Sequence, residues 1–128
     1  MYDPNRIILM LNRIEDAISL IQNNTAHYHR ADDFLNSQDG MFALSGVCMQ
    51  LIFIGETVKV LDTKTSHEYL VNYPEIPWNA IMGLRDIIAH EYHHIDAEEI
   101  IHVIEKDLPS LLQIVKRMKK EIEQRSLQ

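Results

Sequence analysis

DGMFALSGVCMQLIFIGETVKVLDT, residues 39 to 63, is the stretch on which the fold turns. Leu44, Val47, Leu51, Ile54, Val58 and Leu61 recur at spacings of three and four, the period of an amphipathic helix. They predict one long helix from about Asp39 to Thr63. Met41, Cys48, Met49 and Ile52 widen the apolar face well beyond a single stripe, so this helix is expected to be either central or shared with another subunit. Gly55 inside it costs about 1 kcal/mol relative to alanine. Close approach by a neighbouring helix would offset that cost.

The rest of the chain arranges itself around this helix. Asp3 followed by Pro4 is a helix start, an N-cap acceptor with proline where its missing N–H costs nothing. Ile7, Leu11, Ile14, Ile18 and Ile21 then mark an amphipathic helix ending near Asn23 and Asn24. HYHRADDFLNSQDG reads as a polar connector with a short helical patch around Asp32 to Leu35. SHEYLVNYPEIPWNA, with two prolines, reads as the longest loop. A third long helix is expected from Pro77 to His93. Asp96 caps a fourth, with Glu98 and Glu99 in its first turn as the helix dipole prefers. Pro109 must kink or restart this last helix, and Asp107 is a fair cap for a restart. No strand pattern of any length survives. The expectation is an all-α antiparallel up-and-down bundle of four main helices, forming a single domain over residues 1–128.

Composition narrows the function classes. The 128 residues are 46% apolar and 24% charged with four glycines and four prolines, which suits a mostly helical globule. A net charge of −7 argues against a broad, non-specific nucleic-acid surface. Lys116, Arg117, Lys119, Lys120 and Arg125 cluster near the chain's end, where they complement a helix C-terminus. Cys48, the single cysteine, cannot form an intrachain disulfide and reads as a buried thiol in a reducing compartment. Asp3, Arg6, Arg13, Glu15 and Asp16 break any signal-peptide core, and no apolar run approaches the roughly 20 residues of a membrane span. A cytoplasmic protein with no membrane contact is expected.

HEYHH, residues 90 to 94, satisfies the helical zinc motif H-E-x-x-H. That reading needs a continuous helix through His94, a third ligand and a groove for substrate. The helix should end near His93, Glu99 to Ile101 stand where a third histidine would, and no strand exists to hold a peptide. Glu105 could serve as a ligand. No metal and no cofactor are expected.

A second reading begins six residues earlier, at RDIIAHEY. On an ideal helix at about 100° per residue, Arg85, Asp86, His90 and Tyr92 share the face away from the core, while Ile81, Leu84, Ile87 and Ile88 point inward. Asp86 and His90 form an i, i+4 pair within hydrogen-bond reach. Such a pair fixes the tautomer of the imidazole and raises its pKa toward neutrality. A guanidinium binds phosphate oxygens and imidazole moves protons near neutral pH, a combination suited to phosphodiester chemistry. RNA brings its own nucleophile, the 2′-hydroxyl. The same residues also suit an ordinary polar helix face, and spacing does not decide between the two. Trp78 and Met82 are expected to pack against a neighbouring helix or a second subunit.

The segment PEIPWNAIMGLRDIIAHEYHHID resembles the signature of the HepT-like branch of the HEPN superfamily, the toxin halves of HEPN/MNT toxin–antitoxin pairs. The likeness extends to IGE at Ile54 to Glu56 and EKDLPSLL at Glu105 to Leu112. The family's R-x4-H-x-Y motif, with a polar residue after the arginine, is filled by Arg85, Asp86, His90 and Tyr92. The resemblance implies a homodimer whose paired motifs form a metal-independent ribonuclease site, leaving a 2′,3′-cyclic phosphate. Arg85 and His90 would be catalytic, with Asp86 supporting them. It also implies a nucleotidyltransferase antitoxin of the MNT type that transfers AMP to Tyr92, placing bulk and negative charge at the mouth of the phosphate site. The alternative, from a different class, is a non-catalytic HEPN protein that binds a nucleotide or a nucleotidyltransferase.

Overall fold

Asp3 accepts a hydrogen bond from the Asn5 backbone N–H at 3.0 Å, and α1 (Pro4–Asn24) starts there as the Asp-Pro pair predicts. The computed structural model describes residues 2–90 and 96–126, with the side chains of His90 and Ser126 outside that description. All five isoleucine and leucine positions read as the inner face of α1 are buried, together with Met10 and Ala17. The helix ends when Thr25 turns its hydroxyl back onto the Ile21 carbonyl at 2.7 Å. The connector contains α2 (Ala31–Leu35), held at its start by the Asp33 carboxylate, which accepts from the backbone N–H groups of His29 and Arg30. Phe34 carries α2 into the core and stacks at 4.7 Å on Tyr28.

The central helix, α3 (Gln38–Lys64), is capped by Ser37, whose side chain accepts from the Gly40 N–H. Leu44, Val47, Leu51, Ile54, Val58 and Leu61 are all buried, as the periodicity predicts. α1, α2 and the two short helices α4 (Trp78–Met82) and α5 (Leu84–His90) all pack on it. One expectation needs correction here. By length and composition alone α3 is long and apolar enough to cross a membrane. Its role in the bundle is nevertheless that of the core helix, since hydrophobic burial rewards an apolar central segment in the same way.

The third long helix is also corrected. It is divided at Gly83 (φ −85°, ψ −2°), which ends α4 by donating to the Asn79 carbonyl, and α5 restarts with Asp86 and Ile87 donating to the Gly83 carbonyl. Residues 91–93 of that expected helix lie outside the described residues. The break leaves α4 and α5 free to lie separately on α3. It also narrows the inner face of α5: Ile88 is buried and Leu84 half-buried, but Ile87, expected in the core, is 57% exposed.

Asp96 caps α6 (Ala97–His102), accepting from the N–H groups of Glu98 and Glu99. Pro109 neither stops the helix nor restarts it at Asp107. Residues Val103–Asp107 form a π-helical turn, in which the Leu108 N–H donates five residues back to Val103, and α7 (Leu108–Ser126) follows directly. A proline lacks the N–H and crowds the carbonyl four residues before it. Widening one turn to the i, i+5 pattern lets the chain pass through without an end. Asp107 therefore sits inside the turn rather than capping anything.

The described residues are helical apart from turns and loops, and they form an all-α bundle. The directions alternate. The end of α1 lies beside the start of α3 around Leu20 and Phe42, and the start of α1 lies beside the end of α7 around Ile7 and Ile122. Lys119 of α7 meets Glu15 of α1 at 2.7 Å across that antiparallel seam. One apolar core runs through Leu11, Ile14, Ile18, Leu51, Leu61, Val115 and Met118. Cys48 joins it, and burial pushes its thiol up to about 11. Leu11 is fully buried, so Leu11→Ala is expected to cost about 2–5 kcal/mol through lost burial and the cavity left behind. Urea unfolding followed by circular dichroism measures it.

Candidate functional site

The loop before α4 is fastened first. Trp78, expected to pack on a neighbour, is buried, and its indole N–H donates to the Tyr73 carbonyl at 2.9 Å. Tyr73 in turn meets Tyr69 edge to face, with ring centres 5.7 Å apart. The Arg117 guanidinium lies 5.2 Å above the Tyr73 ring, bonds the Glu75 carboxylate at 2.8 Å and reaches Glu121 at 3.3 Å. A residue read as part of a basic helix end is thus a tether from α7 to the loop. With the loop held, the start of α4 is fixed, and through Gly83 the start of α5.

α5 presents the first two candidates. Arg85 and Asp86 are exposed, in the first turn after the Gly83 break. Arg85 is not free: its Nη1 donates to Oε1 of Glu56 on α3 at 3.4 Å, with 64% of the arginine side chain still exposed. An exposed pair of this kind contributes at most about 1 kcal/mol to stability. Its effect is to set where the guanidinium points. His90 is the last residue of α5, and its side chain lies outside the described residues, as does the expected Asp86–His90 hydrogen bond. Tyr92 lies outside them too, together with His93 and His94 of the zinc reading. The described structure therefore brings Arg85 and Asp86 to one exposed helical turn.

Two features escaped the sequence reading. The first is Glu56, noted only as part of the IGE likeness. The signal was present in Gly55, since a helix that makes room for a neighbour at one residue presents the next residue to that neighbour. The second is which residues form the outer face of α3, a helix expected to be central or shared with another subunit. Phe42 (81% exposed), Met49 (62%), Phe53 and Val60 all face outward, within about 40° of one another on an ideal helix and opposite the buried face. Glu56 flanks this ridge.

The Glu75 carboxyl is held below the usual carboxylate range, first by its own backbone N–H and then by the Arg117 guanidinium. A lowered carboxylate pKa stabilises the fold above the group's ordinary value, and that stability is lost as pH falls through the lowered one. The stability gap between wild type and Glu75→Gln is therefore expected to be present at neutral pH and to close in acid. Urea midpoints taken along a descending pH series read it.

Comparison with known proteins adds the last finding. The sequence model of a family described as "Ribonuclease HepT-like" matches residues 14–118. The chain is similar to a protein of Thermococcus cleftensis named "Probable ribonuclease HepT", 34% identical over 103 residues that cover 79% of this chain and 84% of the relative. It is also similar to two candidate RNases of Methanocaldococcus jannaschii. One is 30% identical over 92 residues, covering 72% of this chain and 70% of the relative. The other is 27% identical over 92 residues, covering 72% of each. No solved structure matches the chain.

Proposed function

We propose, because this chain belongs to the HepT-like ribonuclease family, that it is a metal-independent endoribonuclease and the toxin of a HEPN/MNT toxin–antitoxin pair. The observation that carries the reading is Arg85, exposed on the first turn of α5 and held by Glu56 next to the outer apolar ridge of α3.

The chemistry follows from what each group can do. Arg85 binds the non-bridging oxygens of the scissile phosphate and the charge that grows on them. One His90 takes the proton from the 2′-hydroxyl as that oxygen attacks phosphorus. The bond from phosphorus to the 5′-oxygen breaks, and a second His90 protonates the departing oxygen. The products are a 2′,3′-cyclic phosphate and a free 5′-hydroxyl. Asp86 orients the imidazole. One chain offers one such histidine, so the site is composite and requires a homodimer, for which the ridge of Phe42, Met49, Phe53 and Val60 supplies the apolar contact. Its position beside Glu56 and Arg85 would bring two copies of the site together.

Regulation acts on the same motif. A cognate nucleotidyltransferase antitoxin transfers AMP to Tyr92, two residues past His90, and the added negative charge repels the RNA backbone. The protein works in the cytoplasm without a cofactor. A second reading, a non-catalytic partner that binds nucleotide or nucleotidyltransferase, draws support from the net charge of −7, which disfavours RNA.

Total RNA incubated with the purified protein in excess EDTA separates the two. Wild type is expected to cleave, and His90→Ala and Arg85→Ala to lose the activity while remaining folded. Absence of cleavage by wild type free of AMP, checked by intact mass, would move the assignment to the binding protein. Phe53→Glu is expected to give a folded monomer by light scattering that no longer cleaves RNA. A dimeric Phe53→Glu protein would sink the assignment of the interface to this ridge.

A further inference from the structure

We infer that Glu56 is a positioning residue for the Arg85 guanidinium, and that Gly55 before it is the spacing element that makes the contact possible. The inference rests on the ribonuclease reading above and adds to it a residue on a different helix.

Gly55 marks the closest approach of α3 to the α4–α5 junction. A methyl group built there would lie 2.6 Å from the Ile81 carbonyl oxygen and 3.7 Å from the Leu84 Cβ. The backbone oxygen cannot swing aside as a flexible side-chain tip would. Any side chain at position 55 must therefore push the junction outward. The next residue on α3 is Glu56, and the residue after Leu84 on α5 is Arg85. Close approach at one position is thus followed directly by the ion pair at the next, with Oε1 of Glu56 3.4 Å from Nη1 of Arg85.

An arginine on an exposed first turn samples many rotamers, and a phosphate-binding fork spread over them is correctly aimed only part of the time. A carboxylate bonded at Nη1 selects among these rotamers. The guanidinium carries five N–H donors, so a contact at Nη1 is compatible with others that bind phosphate. Because the pair is exposed, its loss changes stability little. Its effect is expected in the reaction, where orientation of a catalytic group counts for far more.

The test uses the full-length chain with a fluorescent RNA oligonucleotide, comparing wild type, Glu56→Ala, Glu56→Gln and Arg85→Ala. Glu56→Ala is expected to lower kcat by about tenfold or more with KM little changed and an unaltered urea midpoint. Glu56→Gln, which retains an acceptor for Nη1, should recover part of the loss. Side-chain nitrogen relaxation should show the Arg85 guanidinium more mobile in Glu56→Ala. Wild-type turnover by both Glu56 variants, beside an inactive Arg85→Ala, would overturn the inference and leave the ribonuclease reading standing. A loss expressed wholly in KM would also overturn it, placing Glu56 in RNA binding instead. Undiminished cleavage by Arg85→Ala would remove the ribonuclease reading's use of this arginine, and the inference with it.

Discussion

Two apolar faces on one helix set the terms for everything else in this molecule. α3 buries Leu44, Val47, Leu51, Ile54, Val58 and Leu61 against its own chain and turns Phe42, Met49, Phe53 and Val60 outward. A single subunit covers only the first set. The second set stays partly or largely in water, from 43% exposed at Phe53 to 81% at Phe42, and forgoes part of the gain that burial would bring. The bundle is therefore complete as a fold and incomplete as a surface. On the proposed function, a site built from two histidines and a helix with an uncovered apolar face would have one solution in common.

The sequence made that situation partly legible. Periodicity gave the inner faces of α1 and α3 residue by residue, because burial against a core imposes a 3.6-residue period that the composition must obey. Caps at Asp3 and Asp96 were equally readable, since few side chains satisfy free N–H groups at a helix start. The breadth of the α3 face was visible, but not how it divides. Met49 and Cys48 are neighbours in sequence, yet one lies outward and the other in the core. Only the positions of α1, α2, α4 and α5 around α3 decide which is which.

What sequence reading missed came from backbone adjustments that hydrophobic pattern does not encode. The third helix is divided at Gly83, and α4 and α5 each lie on α3. Ile87, placed inward on a continuous ideal helix, consequently ends up exposed. Pro109 reads as a kink or a restart of the last helix, and what the pattern does not encode is the form of the interruption, one π turn over Val103–Asp107 with no cap at Asp107. In the candidate site Arg85 and Asp86 lie on an exposed turn, as their positions on the helical wheel require. Their neighbour Glu56, 29 residues away in sequence, could be found only after α3 and α5 were laid side by side.

The acidic balance of the chain shapes what such a site can do. Of twelve basic residues, Arg117 and Lys119 are committed to ion pairs that hold the loop and α1 to α7, and Arg85 itself is shared with a glutamate. Three of the twelve are thus engaged, which narrows the material for a broad cationic track along an RNA backbone. On the ribonuclease reading, binding energy would come mainly from contacts made at the reacting phosphate and its immediate neighbours. That arrangement makes the orientation of one guanidinium count for more than the sum of surface charge. If Tyr92 carries AMP as proposed, a single negatively charged adduct would meet little distant attraction to outweigh it.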